Sequence, residues 1–193
     1  MKIALIGSAP SSRDLAPFND SDWEIWTCSP SNMDLPRSDV FFEIHAWDTM
    51  ARDPELTLFL AWLRKHPKVY LQKLNPLFPN ALAYPKDEMI GKYGPYFFTS
   101  SLAYMLALAI SKKPEAIGLF GVDMSATEDW GYQRAGCQHF ALLASDLGIQ
   151  IVVPPESDLL RPSPRYGIDE SEHWMIKLTA RKAELSGRLG MAQ

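Results

Sequence analysis

His45 and Asp123 are the two residues whose chemistry is most easily matched to catalysis. His45 follows an apolar stretch at 39–44, and an imidazole that titrates near neutral pH could act as a general base. Asp123 comes two residues after Gly121, which is itself a candidate ligand contact. The Asp123 carboxylate could bind a ribose hydroxyl, orient a base or coordinate a metal ion. A hydrogen-bonded histidine at the rim of the sheet and a local turn carboxylate are the structural alternatives.

Small and hydroxyl-bearing residues occupy two places where a helix is predicted to begin. The first turn has neither the GxxxxGK[ST] pattern of a P-loop nor the GxGxxG dinucleotide fingerprint. Its backbone amides, and those of the second helix start, could nevertheless bind an anion, although a tight turn and an ordinary helix cap explain them equally well. The residues are Gly7, Ser8, Pro10 and Ser11 in the first turn, and Thr99, Ser100 and Ser101 at the second.

Three further polar residues are candidate ligand contacts. Asn32 follows the stretch at 23–28, where a second strand is predicted. Tyr132 and Arg134 follow Asp123 and could hold a phosphate or a sugar through phenol and guanidinium donors, the alternative being a surface loop pair.

Alternating strands and helices must position these residues. Short apolar runs predict strands at 3–6, 23–28, 39–44, 69–71, 116–120 and 149–153, and helical spacing predicts helices at 53–65, 99–111 and 137–147. This order predicts an α/β fold, a Rossmann-like three-layer domain with a mostly parallel sheet, over residues 1–155. Ligands bind at the carboxyl ends of the strands in such sheets.

Two segments fall outside this regular pattern. Residues 73–98 are rich in proline, asparagine, tyrosine and glycine, and we interpret them as a long loop that could act as a lid. Residues 156–193 form a C-terminal extension with a helical tail predicted at about 170–189. Trp174 and other apolar residues of this tail could dock on the domain or on a second copy, forming a homo-oligomer.

Composition narrows the function classes. The chain has 193 residues, a net charge of -4 and two cysteines, Cys28 and Cys137. A mildly acidic chain argues against broad nucleic-acid binding, and the absence of Cys/His ligand spacing argues against a structural zinc site. No apolar run approaches the length of a membrane span or a signal-peptide core, so we expect a cytoplasmic protein.

Three segments together resemble the bacterial sialyltransferases that decorate lipooligosaccharide. The segment Gly7-Ser8-Ala9-Pro10-Ser11-Ser12 resembles their GxGPS-type first turn, which also occurs in 6-hydroxymethylpterin diphosphokinase-like and flagellin glycosylation proteins. The segment Cys28-Ser29-Pro30-Ser31-Asn32 resembles the stretch after their second strand, and Thr99-Ser100-Ser101 followed by Gly121-Val122-Asp123 resembles their TSG–helix–GxD block. Small phage and prophage proteins also show this arrangement, which here spans residues 2–125.

The resemblance implies a nucleotide-sugar site formed by six residues of this chain. It also implies a phosphate contact at Tyr132, which lies where the family has its phosphate-binding tyrosines. Three positions depart from the pattern, because Ala9 replaces a glycine, Ser8 replaces an asparagine and Ser101 replaces the glycine of TSG. The catalytic histidine of the family has no clear match. The six positions are Gly7, Ser8, Ser11, Asn32, Ser100 and Ser101.

The leading hypothesis is a nucleotide-dependent transferase of the glycosyltransferase type that uses a nucleotide-sugar and needs no resident metal. The first alternative is diphosphate transfer from a nucleoside triphosphate, which would require magnesium, with Asp123 as a ligand. The second alternative is a phage or prophage accessory protein that binds a nucleotide without turnover. The partner in each case is a small nucleotide or nucleotide-sugar.

Overall fold

The computed structural model describes residues 1–124 and 128–160, together with positions 168, 179 and 181–183. Seven strands form one sheet, and five α-helices connect them in the described residues. The strands are β1 (Lys2–Ile6), β2 (Trp23–Cys28), β3 (Val40–Glu43), β4 (Val69–Leu71), β5 (Ala81–Ala83), β6 (Ala116–Phe120) and β7 (Gln150–Val152). The helices are α1 (Trp47–Met50), α2 (Thr57–Leu63), α3 (Lys86–Tyr93), α4 (Ser101–Ser111) and α5 (Glu128–Asp146).

The sheet is parallel throughout and has the strand order β5-β4-β3-β2-β1-β6-β7. The chain moves outward from β1 to β5, and then returns to place β6 on the other side of β1. The strand order therefore reverses between β1 and β6, where such sheets open a crevice at their carboxyl edge. The predicted α/β fold with a mostly parallel sheet is confirmed.

Both faces of the sheet are covered because successive strand residues point to opposite sides. Phe42 and Trp26 face the cluster that contains α4, while Phe41 faces the cluster that contains α2. Helix α4 is buried along almost its whole length, from Leu102 to Ile110 apart from the partly exposed Tyr104, so it needs apolar residues on every side. The central strands β1 and β6 are covered on both faces, so they contain continuous apolar runs.

The interpretation of residues 73–98 as a structureless loop was wrong. The segment contains β5, which extends the sheet beside β4, and the eight-residue helix α3. The sequence Ala81-Leu82-Ala83 is too short to show a strand pattern, and Gly91 weakens the helical signal of α3. The loop that follows α3 spans only residues 94–100.

Three predicted helix boundaries also differ from the structure. Helix α5 begins at Glu128, whereas the predicted helix began at 137. The prediction started late because Gly131 and Gly136 lower the helix propensity of the first turns, which tertiary packing overrides. The helix predicted at 53–65 starts as a 3₁₀ turn, Pro54–Leu56, before α2. The helix predicted to begin at the first turn is a single 3₁₀ turn, Arg13–Leu15.

The chain divides into two compact units, Met1–Leu160 and Arg161–Gln193. In the second unit, positions 179 and 181–183 are helical. Trp174 and most of the predicted tail helix lie outside the described residues. No described helix combines the length and the apolar character needed to cross a membrane.

Candidate functional site

A cavity of about 620 Å³ opens at the carboxyl ends of β1, β2, β3 and β6, beside the start of α4. We call it the carboxyl-end cavity. Its volume lies in the range of about 300–1,000 Å³ that is typical of small-molecule sites. Nine of the candidate residues line it: Gly7, Ser8, Pro10, His45, Thr99, Ser100, Ser101, Gly121 and Asp123.

His45 forms a hydrogen-bonded pair with a carboxylate that the sequence analysis gave no role. The His45 Nδ1 atom lies 2.6 Å from Glu43 Oε1, which also accepts a bond from the His45 backbone N–H at 3.0 Å. The Glu43 side chain is 5% exposed, whereas that of His45 is 71% exposed. The buried Glu43 therefore fixes the orientation of the imidazole ring, and Nε2 is the ring nitrogen available to contact a ligand.

The carboxylate also changes the acid–base behaviour of the ring. The hydrogen bond to Glu43 raises the pKa of His45 above its usual 6.5, and partial burial opposes this effect less strongly. An imidazole placed in this way is a stronger base than a free histidine. The pair can take up a proton at Nε2 while Glu43 stabilises the resulting positive charge.

Gly7 and Gly121 let the loops after β1 and β6 approach each other closely. Gly7 N–H donates to the Phe120 carbonyl at 2.8 Å, and Ala9 N–H donates to the Gly121 carbonyl at 2.9 Å. A Cβ atom on Gly7 would collide with the Gly121 carbonyl oxygen. Both glycines line the cavity, but this backbone packing explains them without any ligand.

Substitution of Gly121 with alanine is expected to destabilise the protein by about 1–3 kcal/mol, the usual cost of a left-handed residue other than glycine. Gly121 has φ +66°, and a Cβ there would lie 2.9 Å from the Gly7 carbonyl oxygen. Urea unfolding measures the change. Gly91→Ala is the matched control, because Gly91 lies in α3 with no atom near an added Cβ, so a gain of about 0.5–1 kcal/mol is expected. Equal effects at both glycines would contradict the close approach.

The hydroxyls at the start of α4 are partly committed to the fold. Ser100 caps the helix by accepting a bond from the Ala103 N–H at 3.2 Å, and its Oγ lies 3.4 Å from Cys137 Sγ. Thr99 Oγ1 donates to the Gln133 carbonyl on α5 at 3.3 Å. Ser101 makes no side-chain hydrogen bond among the described residues, so it is the hydroxyl here that is left for a ligand.

Asp123 contributes an unsatisfied carboxylate oxygen to the cavity. Its Oδ1 atom is buried and has no hydrogen-bond partner in the described residues. A buried acceptor without a partner is costly, so a ligand donor at this position would be stabilising. The described residues contain no group of three or more His, Cys, Asp or Glu side chains placed to hold a metal ion.

Asn32 and Ser11 do not line the cavity. The Asn32 side chain is buried, and its Nδ2 donates to the carbonyls of Ile6, Gly7 and Cys28 at 2.7–3.2 Å. Asn32 therefore holds the ends of β1 and β2 together. The exposed Ser11 lies beside Ser12, whose buried hydroxyl accepts a bond from the Gly121 N–H at 2.9 Å. Ser12 could not be recognised from the sequence, since one serine in a run of small residues carries no signal of burial.

Tyr132 and Arg134 lie on α5 and do not line the cavity either. Tyr132 is 70% exposed. The Arg134 guanidinium donates to the carbonyls of Asp158 and Leu159, which ties the segment after β7 to α5. Gln133, between them, does line the cavity. These side-chain directions follow from α5 being helical here, where the sequence predicted a loop.

The thiols of Cys28 and Cys137 are both buried, which makes them poor nucleophiles. Burial raises the pKa of Cys28 to about 12 and that of Cys137 to about 11. Both thiols therefore stay protonated near neutral pH, although Cys28 lines the cavity. A thiolate nucleophile is not part of the site.

No protein-family model matches the chain, and no curated protein matches its sequence. Solved structures do match its fold. Sialyltransferase CstII from Campylobacter jejuni, in complex with a substrate analogue, cytidine-5'-monophosphate, aligns with a TM-score of 0.51 and 15% identity over 79% of this chain and 78% of that one. A mutant of α-2,3/8-sialyltransferase CstII aligns with a TM-score of 0.52 and 14% identity over 84% and 90%.

This chain shares its α/β fold with sialyltransferase CstII. The resemblance inferred from the first turn, the segment after β2 and the start of α4 is thus confirmed at the level of fold, and the fold is Rossmann-like. Thiamine pyrophosphokinase from Bacillus subtilis also aligns, with a TM-score of 0.48 and 13% identity over 80% of this chain and 60% of that one.

Proposed function

We propose that the protein is a glycosyltransferase-like enzyme that binds a nucleotide-sugar in the carboxyl-end cavity and uses His45 as its general base. The observation that carries the proposal is the His45–Glu43 pair at the rim of that cavity, 2.6 Å between Nδ1 and Oε1. A surface histidine without a role does not need a buried carboxylate to orient it. The sialyltransferase fold supports the same class of reaction.

In the transfer step, His45 acts on the acceptor and the start of α4 acts on the phosphate of the donor. His45 Nε2 takes the proton of an acceptor hydroxyl as its oxygen bonds to the anomeric carbon of the donor sugar. The bond from that carbon to the phosphate oxygen breaks at the same time, and the electron pair leaves with the nucleotide. The amide groups at the start of α4 and the Ser101 hydroxyl belong to residues that line the cavity, and they stabilise the departing phosphate.

Product analysis tests this proposal directly. The protein is incubated with CMP-, UDP- and GDP-sugars as donors and with methyl glycosides as acceptors, and free nucleotide is separated by anion-exchange chromatography. One of the donors is expected to lose its sugar in the presence of wild-type protein and to stay intact with His45→Gln. A donor that binds tightly but survives long incubation would instead favour the non-catalytic nucleotide-binding protein.

The pH dependence of turnover should report the Glu43–His45 pair. His45 can accept a proton only above its pKa, and Glu43 raises that pKa. In the wild type kcat/KM, which reports the groups of the free enzyme, is therefore expected to increase with pH through a value above 6.5. Glu43→Gln removes the negative charge, so the increase should move to lower pH and the maximum should fall.

Profiles of kcat/KM from about pH 5 to 9 for the wild type and Glu43→Gln make the comparison. Glu88→Gln is the matched control, since Glu88 lies exposed on α3 and pairs only with Lys92 among the described residues. The control is expected to keep the wild-type profile. An unchanged profile in Glu43→Gln would argue against His45 as the titrating base.

Diphosphate transfer from a nucleoside triphosphate is the second candidate, and the unpartnered Oδ1 of Asp123 favours it. That carboxylate could help to hold a cation carried in by the triphosphate, since magnesium usually binds through one or two carboxylates and the phosphates. Activity that persists in excess chelator would exclude this candidate. Loss of activity in chelator, restored by magnesium, would exclude the metal-free glycosyl transfer.

A further inference from the structure

A second cavity lies on the other side of His45. It has a volume of about 290 Å³ and is formed by the segment after β3 and the segment after β4. Its lining residues include His45, Trp47, Gln72, Lys73, Asn75 and Phe78. We call it the Trp47 cavity. Among the lining residues of the two cavities, His45 is the one they share.

We propose that the Trp47 cavity is the acceptor subsite, and that it takes one hydroxylated ring of monosaccharide size lying on Trp47. This proposal rests on the proposed transferase function. A base that abstracts the acceptor proton must contact the acceptor, and the donor must approach from a different direction. A histidine between two cavities meets both requirements, and holding the reactants on its two sides brings them into reacting distance.

The walls of the Trp47 cavity fit the two kinds of surface that a sugar ring presents. The Trp47 ring packs edge-on against the buried Phe78, with 5.4 Å between centroids, so the apolar wall is held in place. A ring of CH groups can lie against this wall, which is also lined by the buried Met50. The volume, near the lower limit of about 300 Å³ for small-molecule sites, suits one ring rather than a chain.

Polar groups surround this apolar wall. Asn75 Oδ1 accepts a bond from the Leu77 N–H at 3.0 Å, which fixes the amide and leaves its Nδ2 group to donate. Gln72 and Lys73 are exposed and make no side-chain hydrogen bond or ion pair with another described residue. These donors and acceptors can replace the water bound to ring hydroxyls. Asp48 also lines the cavity, so its charge and that of Lys73 are opposite in sign. The aromatic wall, the amides and this balance of charge favour a neutral polyol ring.

NMR of the tryptophan indole N–H groups tests the subsite without requiring turnover. The chain has six tryptophans, and Trp47→Phe identifies the Trp47 signal by its loss. Methyl glycosides of glucose, galactose and N-acetylglucosamine are titrated to about 10 mM, ten times the dissociation constant of a weak site of about 1 mM. At least one is expected to shift the Trp47 signal saturably while the other five indole signals stay in place.

Two further measurements separate this proposal from the proposed function. The shift should persist when cytidine-5'-monophosphate or uridine diphosphate saturates the protein, because the nucleotide belongs in the carboxyl-end cavity. Gln72→Ala should weaken glycoside binding about fivefold, the effect of one lost hydrogen bond. Gln150→Ala should not, since Gln150 lies exposed at the amino end of β7.

Three results would overturn the acceptor subsite. They are the absence of any Trp47 shift with all three glycosides, a shift abolished by the nucleotides, and equal effects of Gln72→Ala and Gln150→Ala. Failure of every nucleotide to bind would count against the proposed function instead. The Trp47 titration would still decide whether the second cavity holds a hydroxylated ring.

Discussion

Replacement of His45 with alanine is expected to lower kcat by about 10²–10⁴-fold, which is the contribution of a well-placed general base. The physical reason is that the His45 Nε2 atom is the basic group at the junction of the two cavities, held there by Glu43 at 2.6 Å from Nδ1. The dissociation constant of the donor should change little, because the nucleotide is assigned to the α4 side of the cavity. Steady-state rates and calorimetric titration of the donor measure the two quantities.

His45→Gln is the matched variant for this experiment. Glutamine can keep a hydrogen bond to Glu43 but cannot accept a proton, so its rate should fall as far as that of the alanine variant. His45→Gln should unfold within about 0.5 kcal/mol of the wild type, since the side chain at this position is 71% exposed and the amide keeps the bond to Glu43. His45→Ala should cost about 1–3 kcal/mol, because it leaves the buried Glu43 carboxylate without its side-chain partner. If His45→Ala and Asp123→Ala both kept wild-type turnover, the catalytic assignment would be wrong.

Replacement of Phe42 with alanine is expected to cost about 3–5 kcal/mol of unfolding free energy, the usual loss for a large aromatic core residue. Phe42 is 1% exposed, and its ring stacks on Tyr70 at 4.9 Å and lies 5.1 Å from Trp26, between centroids. It precedes Glu43 on β3 and lines the carboxyl-end cavity, so a cavity left there would also loosen the His45–Glu43 pair. Urea unfolding measures the loss.

Leu142→Ala provides the comparison, because Leu142 is 60% exposed on α5 and should change stability by no more than about 0.5 kcal/mol. Phe42→Leu should cost less than Phe42→Ala, since leucine leaves a smaller cavity. A loss below about 1 kcal/mol in Phe42→Ala would show that β3 is not a central buried strand.

Strands that are buried on both faces could be predicted from the sequence, and marginal elements could not. The apolar runs of β1 and β6 end at Gly7 and Gly121, which identified both the strands and their carboxyl ends. Strand β5 has only three residues and depends on pairing with β4, so its local sequence carries little information. The first turns of α5 contain Gly131 and Gly136, which lower helix propensity, and Gly136 packs closely against the loop before α4.

The candidate site was predicted best where backbone position alone decides it. Residues directly after a parallel strand must lie at the carboxyl edge, so His45, Ser8 and Asp123 reach the cavity. The direction of a side chain on a helix or in a buried turn depends on tertiary packing. For this reason Arg134 and Asn32, which were predicted to contact a ligand, instead donate to backbone carbonyls. The Glu43–His45 pair could have been recognised from a charged residue at the end of an apolar strand, two positions before a histidine.

The central claim, a nucleotide site in the carboxyl-end cavity, is tested most directly by thermal unfolding with CMP-, UDP- and GDP-sugars and with magnesium triphosphates. A ligand at 100 times its dissociation constant should stabilise the wild type by about 2.7 kcal/mol. Ser8→Trp, which places an indole at the mouth of the cavity, should remove that stabilisation while keeping the unliganded melting temperature, because Ser8 is exposed. Stabilisation of the wild type alone is the predicted result. A flat response to every nucleotide, or an equal response in Ser8→Trp, would contradict the claim.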